Sequence, residues 1–163
     1  MGCARLRIAA FPQIGDGPDA REWGEPPPVI LASAASHFEP PAVIHDGAVP
    51  ASSSDQQVSR FVWPDRRGTR EWVEYLFSAP LRVSAVEVYW VEDTGRGGCR
   101  LPESWEVLWW DGKTWQPVSA SFEIRKDAFS AASFRPIETA RLRLRAQLRE
   151  GFHGGLFEWR VQE

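Results

Sequence analysis

Lysine is almost missing from this chain. Only Lys113 and Lys126 occur among 163 residues, and arginine carries the rest of the positive charge. That bias fits a GC-rich coding sequence as readily as a function. The formal net charge is −3 and no side of the chain is strongly basic, which argues against nucleic acid as a main partner. Cysteine is scarce too: Cys3 and Cys99 lie far apart, no four-ligand zinc spacing exists, and pairing between the two is not indicated. No hydrophobic run reaches membrane-spanning length, so no membrane partner is expected. The start MGCARLRIAAFPQ lacks an apolar stretch of signal-peptide length, and Leu6 stands where a myristoylation signal needs Ser or Thr. A cytoplasmic protein and a piece of a larger secreted one both fit. Gly-x-Ser-x-Gly, His-Glu-x-x-His and glycine-rich phosphate loops are missing as well, so catalysis has little to stand on and no enzyme is expected. Cys99 with His153 is the one nucleophile pair to consider, with no third group in view to orient it.

What the chain does have is tryptophan, nine of them. Indole rings fill cores, and they also stack on flat apolar ligand faces such as sugars. Residues 1–28 are turn and linker chemistry, an extended lead-in, and the domain proper is expected over 29–163. From Ile30 to Val62 the chain is small, polar and loop-like, a length that calls for a function or a tether. Strand patterns follow: Glu71–Phe77, Val83–Val91, Ser104–Trp110, Arg141–Leu148 and Leu156–Val161. Weaker ones fall at Trp115–Ser119, Ser121–Ile124 and Ala132–Phe134. Val86, Val88 and Trp90 share one face, as do Trp105, Val107 and Trp109. Leu142, Leu144, Ala146 and Leu148 point inward, with Arg141, Arg143 and Arg145 outward. In the last strand Phe157, Trp159 and Val161 are expected inside, with Glu158 and Arg160 outside. No segment holds a helical period. The pattern predicts an all-β antiparallel sandwich or barrel.

Several residues stand out in order. An Ala-x-x-x-Asp-Gly turn (Ala42 to Gly47) precedes a Glu-Trp-Val-Glu-Tyr strand and Val-Ser-x-Val-x-Val. Then come Pro-x-Ser-Trp-x-x-x-Trp-x-Asp-Gly-x-x-Trp, Arg-Leu-Arg-Leu and a terminal Glu-Trp-Arg-Val. Over about residues 30–162 this set resembles the discoidin, or coagulation-factor type C, domain. Within that galactose-binding-like group it looks most like modules appended to bacterial glycoside hydrolases, including the β-L-arabinofuranosidase type. The resemblance implies a jelly-roll β-sandwich of about eight strands with binding loops at one end. It implies a non-catalytic carbohydrate-binding module accessory to a glycoside hydrolase. The other implied role is an interaction domain of the same fold that packs on a catalytic domain without touching sugar. It also implies one structural calcium. By position, Asp46 and Glu158 would offer side-chain oxygens, Val43 and Ala48 backbone carbonyls, and Ser52 or Ser53 a hydroxyl, with Ser53 preferred. Ala51 stands where the family usually has Thr. Calcium takes six to eight hard oxygens and tolerates irregular loops.

Two aromatics are candidates for stacking on sugar. Trp63 precedes a proline in an irregular segment, and Trp110 points away from Trp109 beside the Asp111-Gly112 turn. For Trp63 a place in the core is an equal reading; Trp72, Trp90, Trp105, Trp109 and Trp159 are assigned there outright. The loop Glu92–Arg100 offers Asp93, Arg96 and Arg100 as acceptors and forked donors for vicinal hydroxyls. An internal Asp–Arg pair that stiffens the loop is the competing reading. His153, between the last two strands, joins the cluster if the jelly-roll topology holds. The three outward arginines read as an ordinary charged strand face.

Overall fold

The computed structural model describes residues 26–36 and 38–163. Most of the lead-in and Cys3 therefore lie outside the described residues. Seven strands follow: β1 (Val29–Ala32), β2 (Phe61–Val62), β3 (Arg70–Trp90), β4 (Ser104–Trp110), β5 (Trp115–Pro117), β6 (Phe129–Gln147) and β7 (Gly155–Gln162). A single 3₁₀ turn, Pro41–His45, is the only helix among the described residues. Every strand pairing is antiparallel, in the order β2-β7-β3-β6-β4-β5 with β1 beside β3.

The architecture turns on β3 and β6, each of which serves both layers. The first part of β3 pairs with β1 and with the end of β6, which carries β4 and β5 beyond it. The second part pairs with the start of β6 and with β7. At the crossover the register slips twice. Between Leu76 and Leu81, β3 has four residues against one on β6. Between Val83 and Ala85 the excess lies on β6, at Phe134-Arg135-Pro136. Pro80 and Pro136 fall within these excursions, where a residue with no N–H costs the ladder nothing. So Glu71–Phe77 and Val83–Val91, expected as two strands, are one. Ala132–Phe134 and all of Arg141–Leu148 but its last residue likewise belong to β6. Ser121–Ile124 forms no strand.

The inward residues of both layers meet in one core. Val73, Tyr75, Val86, Val88, Trp90, Trp105, Val107, Leu142, Leu144, Ala146 and Trp159 are all buried there. Tyr75 ties the layers together. Its ring stacks on Trp159 with centroids 4.1 Å apart, and its hydroxyl donates to Trp159 O at 2.6 Å. Burial, aided by the Glu158 charge, pushes this phenol well above its ordinary pKa, so the hydroxyl remains a donor.

Three expectations are corrected. Trp72 lies on the outer face rather than in the core, half-buried, with the Arg143 guanidinium 4.2 Å from its ring centroid. Phe157 leaves the main core for a second cluster with Tyr89, Val91 and Cys99. A register shift between Tyr89 and Trp90 lets β7 divide its apolar residues this way. Glu158, expected outside, is 3% exposed.

Candidate ligand-binding site

The loops 63–69, 91–103 and 148–154 leave the same end of the sandwich, because β2, β3, β4, β6 and β7 all start or finish there. Backbone hydrogen bonds knit them. Arg100 N donates to His153 O and His153 N to Gly98 O, both at 3.0 Å, while Leu148 N donates to Thr69 O. The 51–60 segment joins them where Glu92 N donates to Ser53 O at 2.7 Å.

Asp93 is the pin of the 92–100 loop and is 4% exposed. Its Oδ1 accepts Cys99 N at 2.8 Å, and its carbonyl accepts Arg96 N and Gly97 N. A Cβ on residue 97 would run into that carboxylate, so the turn requires Gly97. Arg100 is likewise turned inward. It lies 3.6 Å from Asp93, donates to Cys99 O and Gly97 O, and stacks over Phe152 at 4.5 Å. The internal Asp–Arg pair is therefore what the structure contains.

His153 is fixed by its neighbours. Nδ1 lies 3.0 Å from Arg66 O, so it carries the proton, and Nε2 accepts Arg67 Nε at 3.1 Å. Both ring nitrogens are engaged. Burial, with the Asp93 charge adding to it, pushes the Cys99 thiol up to about 12. A protonated, 5% exposed thiol beside a fully hydrogen-bonded imidazole is no nucleophile pair.

Arg96 is the member of this set that faces open solvent. With Ser52, Ser54, Asp55, Gln56 and Gln57 it lines a polar recess of about 340 Å³. Asp55 shapes that recess by accepting the backbone N–H groups of Gln57 and Ala51, which hold its carboxyl below the usual range. Gln56 also borders a second recess, of about 370 Å³, lined by Phe38, Glu39, Val43 and Arg60 among others. The two recesses share Gln56. Phe38 lines the second with 95% of its surface exposed. Arg60 contributes a buried Nε with no partner.

Trp63 and Trp110 leave the set. Trp63 is 0% exposed, lies in the core, and donates its Nε1–H to Trp72 O, so neither ring face is open to a ligand. Trp110 ends β4, at the opposite end of the sandwich from the 92–100 loop that precedes it. The recess residues Phe38, Glu39, Gln56 and Arg60, and the exposed ring of Phe152, were missed by sequence reasoning. The available signal was an aromatic in Ser-His-Phe-Glu-Pro-Pro with no periodic apolar partner, and another in Gly-Phe-His-Gly-Gly.

Of the expected metal ligands, Asp46 and Glu158 do border one open cavity, with Gly47 and Arg160. Asp46 Oδ1 caps the turn by accepting Ala48 N, with Gly47 at φ +77°. Glu158 Oε2 is buried without a hydrogen-bond partner. Burial pushes its carboxyl up in pKa and the Asp46 charge adds to this, against Arg160 and the Gly47 N–H. An orphaned, buried anionic oxygen beside a second carboxylate suits a hard cation. Ser53 does not fit that shell. It is fully buried and locked to Asp127, its Oγ accepting Asp127 N while its own N donates to Asp127 Oδ1. Val43 lines the Phe38 recess. Among the described residues no group of three His, Cys, Asp or Glu side chains gathers to hold a metal, so backbone carbonyls would have to complete the shell.

No family model matches the chain, and no curated protein matches it. Solved structures do. A chain of the Streptococcus pneumoniae β-galactosidase BgaA superposes with TM-score 0.71 at 19% identity, covering 86% of this chain and 94% of that one. Chitosan-binding module 1 of a Paenibacillus sp. IK-5 chitosanase/glucanase gives 0.62 at 15%, covering 83% and 95%. The family 32 carbohydrate-binding module of Clostridium perfringens NanJ, solved with galactose, gives 0.61 at 12%, covering 83% and 93%. At these identities the likeness shows the fold alone, an antiparallel β-sandwich of the galactose-binding-like kind.

Proposed function

We propose that this chain is a non-catalytic carbohydrate-binding module, accessory to a glycoside hydrolase, that holds glycan at the two recesses lined by Phe38 and by Arg96. The observation that carries the reading is the first of them. The exposed Phe38 ring lines it with Arg60, Gln56, Glu39 and Ser59, and Gln56 also lines the recess that holds Arg96. A flat apolar ring with nearby forked donors and acceptors suits a pyranose, whose C–H face stacks while its hydroxyls hydrogen-bond. Arg100, Asp93 and His153 support the loop from behind. The fold neighbours include modules whose own ligands are chitosan and galactose, which supports the class of ligand and leaves the sugar to experiment.

Affinity electrophoresis through gels containing neutral polysaccharides is the test. The wild type should be retarded by at least one of them, and Phe38→Ala and Arg96→Ala should each run freely while melting like wild type. Free migration of the wild type across a broad panel overturns the reading.

The same reading includes calcium as a structural ion held by Asp46, Glu158 and carbonyls of the 43–48 turn. Its work would be to neutralise the buried Glu158 oxygen and fasten the start of the domain to its last strand.

A further inference from the structure

The outer face of the β1-β3-β6-β4-β5 layer is not an ordinary charged strand surface. Strand alternation puts Trp72 and Glu74 of β3, Arg141 and Arg143 of β6, Trp110 of β4 and Trp115 of β5 on this side. They form a ladder. The Arg143 guanidinium lies 4.2 Å from the Trp72 ring centroid and 4.1 Å from that of Trp115. Arg141 lies 5.1 Å from Trp115 and 5.3 Å from Trp110. Beneath them Glu74 is fully buried, although it lies on the outside of the sheet. One of its oxygens takes Arg141 at 2.6 Å and the other takes Arg143 at 2.7 Å. Arg145 continues the row, paired with Glu106 at 2.7 Å.

This arrangement fixes what the face can recognise. Indole faces that already carry guanidinium groups are not open to sugar rings or bases. What remains on offer is the outward N–H edge of each arginine, since Glu74 takes the Nε and Nη2 side of Arg141 and Arg143. Arg70, by alternation on the same side, brings the total to four arginines against Glu74 and Glu106, on a chain whose net charge is −3. The side chains of Arg141, Arg143 and Arg145 are 36%, 20% and 33% exposed, so the row lies recessed between the indoles. A recessed line of forks suits small anionic groups projecting from a slim chain better than it suits a broad protein surface. The row already holds carboxylates, those of Glu74 and Glu106, in the planar geometry that guanidinium favours.

We infer that this face is a second binding surface, distinct from the loop-end recesses, for a polyuronate: a polysaccharide bearing a carboxylate on its successive sugars. Stacking and the buried Glu74 hold the arginine forks in place before the ligand arrives, so little side-chain entropy is lost on binding. The interaction is ionic at a half-exposed surface and weakens with salt.

Affinity electrophoresis in gels with polygalacturonate, at low and at high salt, tests this. The wild type should be retarded at low salt and released at high salt, and Phe38→Ala, altered only in the loop-end recesses, should behave identically. The triple variant E74Q/R141Q/R143Q removes the forks without stranding a buried carboxylate. It should lose at least tenfold in affinity while circular dichroism and melting confirm the fold. Arg145→Gln, whose partner Glu106 is itself half-exposed, should weaken binding by a smaller factor. Absence of retardation, or a folded triple variant that binds like wild type, overturns the inference. So does preferential binding of heparin or of single-stranded oligothymidine over polygalacturonate, which would assign the face to sulfate or phosphate.

Discussion

A phenyl ring left in water forgoes roughly 2 kcal/mol of burial stabilisation, and Phe38 leaves 95% of its surface there. Phe38→Ala should therefore shift stability by no more than about 0.5 kcal/mol, measured by denaturant titration, while abolishing retardation by neutral glycans. Trp63→Ala should do the opposite. It empties a core site and should cost about 3–5 kcal/mol, and any loss of binding should track unfolding. The nine tryptophans hid this division. A Trp before Pro reads the same from sequence whether it lines a groove or fills a core, because only tertiary packing decides which face meets water. Asp93 and Arg100 were legible as a pair, but the direction they face depends on Gly97 and Phe152, which no periodicity reveals. Cys99 supplies a separate check. With its thiol raised to about 12 by burial, it should resist iodoacetamide at pH 8.5 in the native protein and react once urea unfolds it, as peptide mapping of residue 99 would show. Rapid native alkylation would mean that the 92–100 loop opens.

At the scale of elements, strand identity was largely readable and strand length was not. Alternation correctly placed Val86, Val88, Trp105, Val107, Leu142 and Leu144 inside. Pro80 and Pro136 cannot donate to a ladder, yet the register slips remove both from the pairing and let β3 and β6 continue into the second layer. The β4–β5 turn was legible, because Asp111-Gly112 carries its own turn chemistry. Asp111 Oδ1 accepts Lys113 N and Thr114 N, both at 2.8 Å, and Oδ2 accepts Gln116 Nε2. The Thr114 and Lys113 N–H groups lower its pKa from 3.8 to about 2. A carboxylate depressed on folding stabilises the hairpin above its unfolded pKa, and that contribution fades as pH falls from about 4 through about 2. Asp111→Ala should therefore lower the melting temperature at pH 6, and the gap from wild type should narrow below pH 3. A gap that stays constant with pH would show that packing, not charge, holds this turn.

Across the whole molecule, the irregular segment that follows β1 meets the last strand, β7, where Asp46 approaches Glu158. The buried Glu158 oxygen without a partner is an unfavourable feature as it stands. A calcium ion there would compensate the charge of both carboxylates and bind only the folded state, since the two ligands lie 112 positions apart in sequence. Mass action then sets the scale: an ion at 100 times its dissociation constant adds about 2.7 kcal/mol. At roughly 2–4 °C per kcal/mol for a domain of this size, calcium should raise the melting temperature by about 5–10 °C over the chelator-treated protein. Glu158→Gln should remove that rise. It should leave the chelated protein at least as stable as wild type, because it replaces a buried, incompletely compensated charge with a neutral amide of similar shape. A general weakening of β7 would instead lower both curves together. If chelator and calcium give the wild type one melting temperature, the Asp46–Glu158 pair holds no ion, and Arg160, at 3.6 Å, is the counter-charge that the described residues give the buried carboxylate.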